Sequence, residues 1–196
     1  MLFEEIITRQ ISDSISVKES LLKDKEMTGR IARAAEICIN SYKKGGKVIF
    51  AGNGGSAADA QHLAGELVNK FYFDRPGLSS LALNTDTSIV TSIGNDYGFD
   101  RIFARQIEAN GKEGDVFIGI STSGDSANVV EALKTCKSKG IATIGLTGSR
   151  CCKMDSLCDI IIKVGSEETP RIQECQVLIG HILCGLIEKQ LFGNAE

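Results

Sequence analysis

The chain is poor in histidine and proline, with two of each, and it has no surplus of positive charge and no apolar run near 18 residues. With 22 basic and 25 acidic residues its net charge is −3, which argues against a nucleic-acid binder held by a broad positive field. Any phosphate ligand must then be bound by local dipoles rather than bulk charge. Without a long apolar run or a signal-peptide pattern, the expectation is a cytoplasmic, reduced protein with no membrane partner. The seven cysteines (Cys38, Cys136, Cys151, Cys152, Cys158, Cys175 and Cys184) are odd in number and form no C-x-x-C pair. Several fall within apolar helical pattern, where a thiol acts as a small hydrophobe, and Cys151-Cys152 alone offers a redox or metal pair. No G-x-x-x-x-G-K-[ST] run is present, which removes a nucleotide P-loop. Both prolines, Pro76 and Pro170, sit at element boundaries, and no repeat or low-complexity linker divides the 196 residues.

What is present falls into two parts. Residues 1–44 carry helical pattern only. Phe3, Ile7, Ile11 and Ile15 recur every four residues, and Ile31, Ala34, Ala35, Cys38 and Ile39 form a second stripe ending at Gly45-Gly46, a helix stop. We read 1–44 as a helical extension that caps the core or packs on another subunit, and 45–196 as one domain. From Lys47 onward short apolar runs alternate with helical segments. Strands are expected over Lys47–Ala51, Ser79–Leu83, Asp115–Ile120, Ala142–Leu146 and Asp159–Val164, with helices near 57–70, 88–94, 99–110, 126–139 and 171–191. That order predicts an α/β fold, a parallel five-stranded sheet with helices on both faces. Ligands of such sheets bind beyond the carboxyl ends of the strands. Polar or glycine-rich turns follow three strands, at 52–56, 84–88 and 121–126.

The organising stretch is Val48 to Glu66, in which an apolar strand, the turn Gly52-Asn53-Gly54-Gly55-Ser56 and an Ala-rich helix follow one another. Such a turn leaves backbone N–H groups free at a helix start, which suits an anion. Ser121-Thr122-Ser123-Gly124-Asp125-Ser126 repeats the arrangement with four hydroxyls and suits a phosphate monoester, although a Ser-rich helix cap would look the same. Asp125 is out of place beside a phosphate, although an Asp at a helix start can simply cap it. His62 and Glu66, four residues apart, share one helical face, as do Gln173 and His181 on the last helix. Glutamate and histidine from two helices could shuttle a proton between adjacent carbons. Alternatively His62, Glu66, Gln173 and His181 could form an N/O site of the kind zinc accepts. Gly94-Asn95-Asp96-Tyr97-Gly98 reads as a turn that meets sugar hydroxyls or simply closes on itself.

Taken in order, GNGGSAADAQHLAGEL, Thr85-Asp86-Thr87, GNDYGF, GDVFIGISTSG and RIQE…H resemble the SIS (sugar isomerase) domain family, and more narrowly its phosphoheptose isomerases, over nearly the whole chain. The resemblance implies a flavodoxin-like three-layer α/β/α sandwich, a homotetramer and active sites at subunit contacts. It implies conversion of sedoheptulose 7-phosphate to D-glycero-D-manno-heptose 7-phosphate, the first step towards nucleotide-activated heptose for surface polysaccharide. Carried over by position, Glu66 is the base and His181 the acid. Ser121, Thr122, Ser123 and Ser126 hold the phosphate, and Asn53, Gly54, Gly55, Ser56, Asn95, Asp96 and Gln173 meet the sugar. His62, Glu66, Gln173 and His181 match the family's zinc ligands, one ion per subunit. Lys70, Pro170 and the loop Ser149-Arg150-Cys151-Cys152 depart from the family pattern. Rival readings are a non-catalytic relative associated with a replication initiator, which would lack Glu66 and His181, and an isomerase of another phosphosugar.

Overall fold

A computed structural model describes residues 2–193. Five strands, β1 (Val48–Gly52), β2 (Ser80–Ala82), β3 (Val116–Ile120), β4 (Ala142–Thr147) and β5 (Ile160–Lys163), form one all-parallel sheet in the order β2-β1-β3-β4-β5. Helices α1 (Phe3–Lys23), α2 (Lys25–Lys43), α3 (Gly55–Val68), α4 (Thr87–Tyr97), α5 (Ile102–Asn110), α6 (Ala127–Ser138) and α7 (Thr169–Phe192) complete the fold.

Alternate residues of each strand feed two cores, as the period of two requires. Val48, Phe50, Val116, Ile118, Ile120, Ile144, Leu146 and Ile162 pack against α2, α3 and α7. Ile49, Ala51 and Phe117 pack against α4, α5 and α6. These are the three layers that the apolar runs and the resemblance imply. The winding direction reverses between β1 and β3, so the loops after these two strands border the crevice where α/β sheets bind ligands.

Several boundaries move for identifiable reasons. Asp115 stands outside β3 because its buried carboxylate accepts from Lys47 N, Lys112 N and Lys47 Nζ, clamping the turn before the strand. The helix expected from 57 starts at Gly55, since Gly54 turns the chain with φ of +57°. Residues 94–97, read from the sequence as part of a turn, are instead the last turn of α4, which ends where Gly98 adopts φ of +89°. α7 is long and apolar enough to span a membrane by length and composition, contrary to the reading of the sequence. Here it packs against α2, α3 and the sheet and carries the buried charges Arg171 and Glu188.

The first two helices differ in role. α2 buries Ile31, Ala34, Ala35, Cys38 and Ile39 in the core, whereas α1 buries no residue and leaves Ile7, Ile11 and Ile15 exposed. α1 is pinned by Arg171 Nη1, which donates to the Gln10 carbonyl. All seven thiols are free. Burial pushes those of Cys38, Cys136, Cys158 and Cys184 up to about 12, so they act as packing groups.

Candidate active site

The β3–α6 loop folds around one hydroxyl. Ser121 is buried; its Oγ lies 2.9 Å from Ser126 Oγ and 3.3 Å from Ser123 Oγ, and it accepts from Gly124 N. Ser126 precedes α6 without capping it, which leaves the start of that helix, beside the loop hydroxyls, suited to an anion. The Thr122 carbonyl accepts from Gly148 N, which ties the loop to the end of β4. On one side the loop opens to a polar cleft whose wall includes Ser149, Arg150 and Cys151. Asp125 also lines this cleft, and its carboxylate accepts from Lys153 N at the start of the 3-10 turn Lys153–Ser156.

The β1–α3 loop is locked to this one by a reciprocal amide pair. Asn53 Nδ2 donates to Asn128 Oδ1, and Asn128 Nδ2 returns a bond to Asn53 Oδ1, both at 2.9 Å. Asn128, buried in the first turn of α6, was not singled out from the sequence. Its signal was present only as an amide two residues after Ser126. Ser56 is buried against Gly52, and Gly54 and Gly55 are exposed at the helix start. The Gln173 amide lies over Gly55, so a side chain there would displace it.

Along the same face of α3, His62 follows about two turns beyond Gly55, roughly 10 Å along the axis, and Glu66 one turn further. His62 Nε2 lies 3.4 Å from Glu66 Oε1 and 2.8 Å from Nε2 of His181 on α7. The ligand atoms of the three side chains all fall within 4.8 Å of one another. α3 and α7 approach closely enough for this because Gly180 offers only a hydrogen to Leu63; a methyl there would sit 2.5 Å from Leu63 Cδ1. The Phe71 ring packs on the His181 ring at a centroid distance of 5.4 Å. One turn before His62, Asp59 holds a buried Oδ2 without a hydrogen-bond partner among the described residues. Burial raises the Asp59 pKa, opposed by the charges of His62 and His181.

This group suits a small cation. Two imidazoles and a carboxylate are hard-to-borderline donors of the type zinc takes. Tetrahedral ligands lie about 3.3 Å apart, so the two histidines would open by roughly half an ångström around an ion. Gln173 is not part of this group in the chain as folded, since its amide rests on Gly55. Asn95 and Asp96 lie exposed at the end of α4 and bond to each other. Lys70 follows α3 on the surface, and Pro170 occupies the first turn of α7, where its fixed φ and missing N–H cost nothing.

The sequence model of the SIS domain matches residues 14–148. A phosphoheptose isomerase of Aneurinibacillus thermoaerophilus is 58% identical over 190 residues, 97% of this chain and 96% of the relative. The structure of a phosphoheptose isomerase from Francisella tularensis superposes with a TM-score of 0.92 at 35% identity, covering 96% of this chain and all of that one. The structure of the Neisseria gonorrhoeae phosphoheptose isomerase gives a TM-score of 0.90 at 39% identity, again over 96% of this chain.

Proposed function

The chain belongs to the SIS domain family, among its phosphoheptose isomerases, and from that premise we propose how its residues divide the work. The enzyme is an aldose–ketose isomerase that converts sedoheptulose 7-phosphate to D-glycero-D-manno-heptose 7-phosphate through an enediol. The serine loop, Ser121 with Thr122, Ser123 and Ser126, takes the phosphate, which is remote from the reacting carbons and supplies binding and orientation. Asn53, Gly54, Gly55, Ser56, Asn95, Asp96 and Gln173 meet the sugar chain.

Glu66 removes a proton from C1 while His181 gives one to the C2 carbonyl oxygen, leaving the enediol. Glu66 then returns a proton to C2 and His181 takes the O1 proton, so that C1 becomes the aldehyde. His62, Glu66, Gln173 and His181 would hold a zinc ion, one per subunit, and such an ion would polarise substrate oxygens as a Lewis acid. Gln173 would leave Gly55 to join that set. The observation that carries the reading is the meeting of a carboxylate and two imidazoles from the separate helices α3 and α7.

The exposed Ile7, Ile11 and Ile15 of α1 support assigning residues 1–44 to contacts in a homotetramer, with the catalytic domain over 45–196. The enzyme works in the cytoplasm on a small sugar phosphate, and its product feeds nucleotide-activated heptose for lipopolysaccharide or capsule. The test couples purified protein, with added zinc, to a heptose-7-phosphate kinase and follows the bisphosphate by mass spectrometry. Product formation supports the reading; its absence refutes it for this substrate.

A further inference from the structure

Behind the acid–base group lies a fully buried ion pair to which the proposed chemistry assigns no role. Arg75 Nε donates to Glu188 Oε1 at 3.0 Å, with the two side chains 1% and 0% exposed. The remaining guanidinium donors close the end of α3: Nη2 bonds the carbonyl of Glu66, and Nη1 bonds those of Leu67, Asn69 and Pro76. Glu188 in turn accepts from the backbone of Phe71 and Tyr72. Burial alone would raise its carboxyl, yet those two N–H groups and Arg75 hold it below its ordinary value.

Resting on the isomerase reading, we propose that Arg75 and Glu188 are positioning residues that set the distance between Glu66 and His181. The pair reaches both partners. Arg75 grips the peptide of Glu66 itself, so it fixes the helix end from which the base projects. Glu188 projects from α7, two turns beyond His181 on the same face, and fixes the backbone of Phe71, whose ring packs on His181. One carboxylate therefore holds the base through Arg75 and the acid through Phe71. Gly185 lies against the Tyr72 ring, which a methyl there would approach to 2.8 Å. A shift of the order of an ångström at a reacting group costs catalysis far more than it costs binding of a remote phosphate.

The test compares Glu188→Gln, Arg75→Lys, Arg75→Met and Phe71→Leu with wild type for kcat, KM and thermal melting, with kcat scaled to folded protein. Glu188→Gln places an amide against two backbone N–H groups, and kcat should fall about 10- to 100-fold while KM stays within about threefold. Arg75→Lys, which keeps the charge, should retain more kcat than Arg75→Met. Phe71→Leu preserves both charges and should still lower kcat several-fold; it decides the matter if the buried-charge variants do not fold. Wild-type kcat in the folded variants, whatever their melting temperatures, overturns the inference. Inactive wild type would instead refute the isomerase reading.

Discussion

Nε2 of His62 and Nε2 of His181 face each other at 2.8 Å, one from α3 and one from α7. Two imidazole nitrogens at that separation share either a proton or a cation, since neutral lone pairs would repel. The helices that carry them run side by side, with Gly55 under Gln173 at one end and Gly180 against Leu63 further along. The chemistry of the site is therefore a property of the α3–α7 seam, and the predictions follow from that.

Gly180→Ala should open the seam. The added methyl meets the end of Leu63, and overpacking of this kind costs about 1–3 kcal/mol. Urea denaturation should show that loss, and kcat should fall further than the stability change explains, because His181 is the next residue. Unchanged kcat would mean that the helices yield elsewhere.

Ser121→Ala removes the hydroxyl on which the anion loop converges. A contact made equally in ground and transition states raises KM while leaving kcat nearly constant, and an increase in KM of roughly tenfold corresponds to one lost hydrogen bond to a charged group. Steady-state kinetics on the phosphorylated ketose measure this directly.

Glu188 makes stability depend on acidity. Its carboxyl is held below the ordinary 4.5, so near that pH the unfolded chain binds more protons than the folded one and stability rises with pH. The contribution is complete above 4.5 and is lost as pH falls through the depressed value. Urea midpoints of wild type and Glu188→Gln should therefore converge on acidification from pH 6 to pH 3.5. A constant gap would show that Glu188 does not titrate on unfolding.

The parts legible in the sequence were those written locally. The strands are unbroken apolar runs, and each glycine turn lies next to the helix it starts, so the sheet and its ligand-binding rim could be drawn before the fold was known. His62 and Glu66 declare a common face by their spacing. What the sequence hides is long-range pairing. Arg75 and Glu188 stand 113 positions apart and resemble solvated surface charges until the fold buries them together. Asn128 reads as an ordinary amide in a helix, and only the fold brings it to Asn53. An Asp at a helix start suggests a cap, but only the fold shows that the Asp125 carboxylate accepts from the distant Lys153 N. The Asn95–Asp96 segment read as a turn because amide, carboxylate and glycine cluster there, yet α4 runs through it to Gly98.

The most direct measurement of the central claim is turnover in deuterium oxide, with Glu66→Gln and His181→Gln beside wild type and zinc present throughout. Proton transfer by Glu66 through an enediol delivers to C2 of the aldose heptose phosphate the proton taken from C1 or deuterium that has exchanged onto the carboxyl, and both variants should lose turnover by about 10²-fold or more while remaining folded. Undiminished turnover by Glu66→Gln would contradict Glu66 as the base.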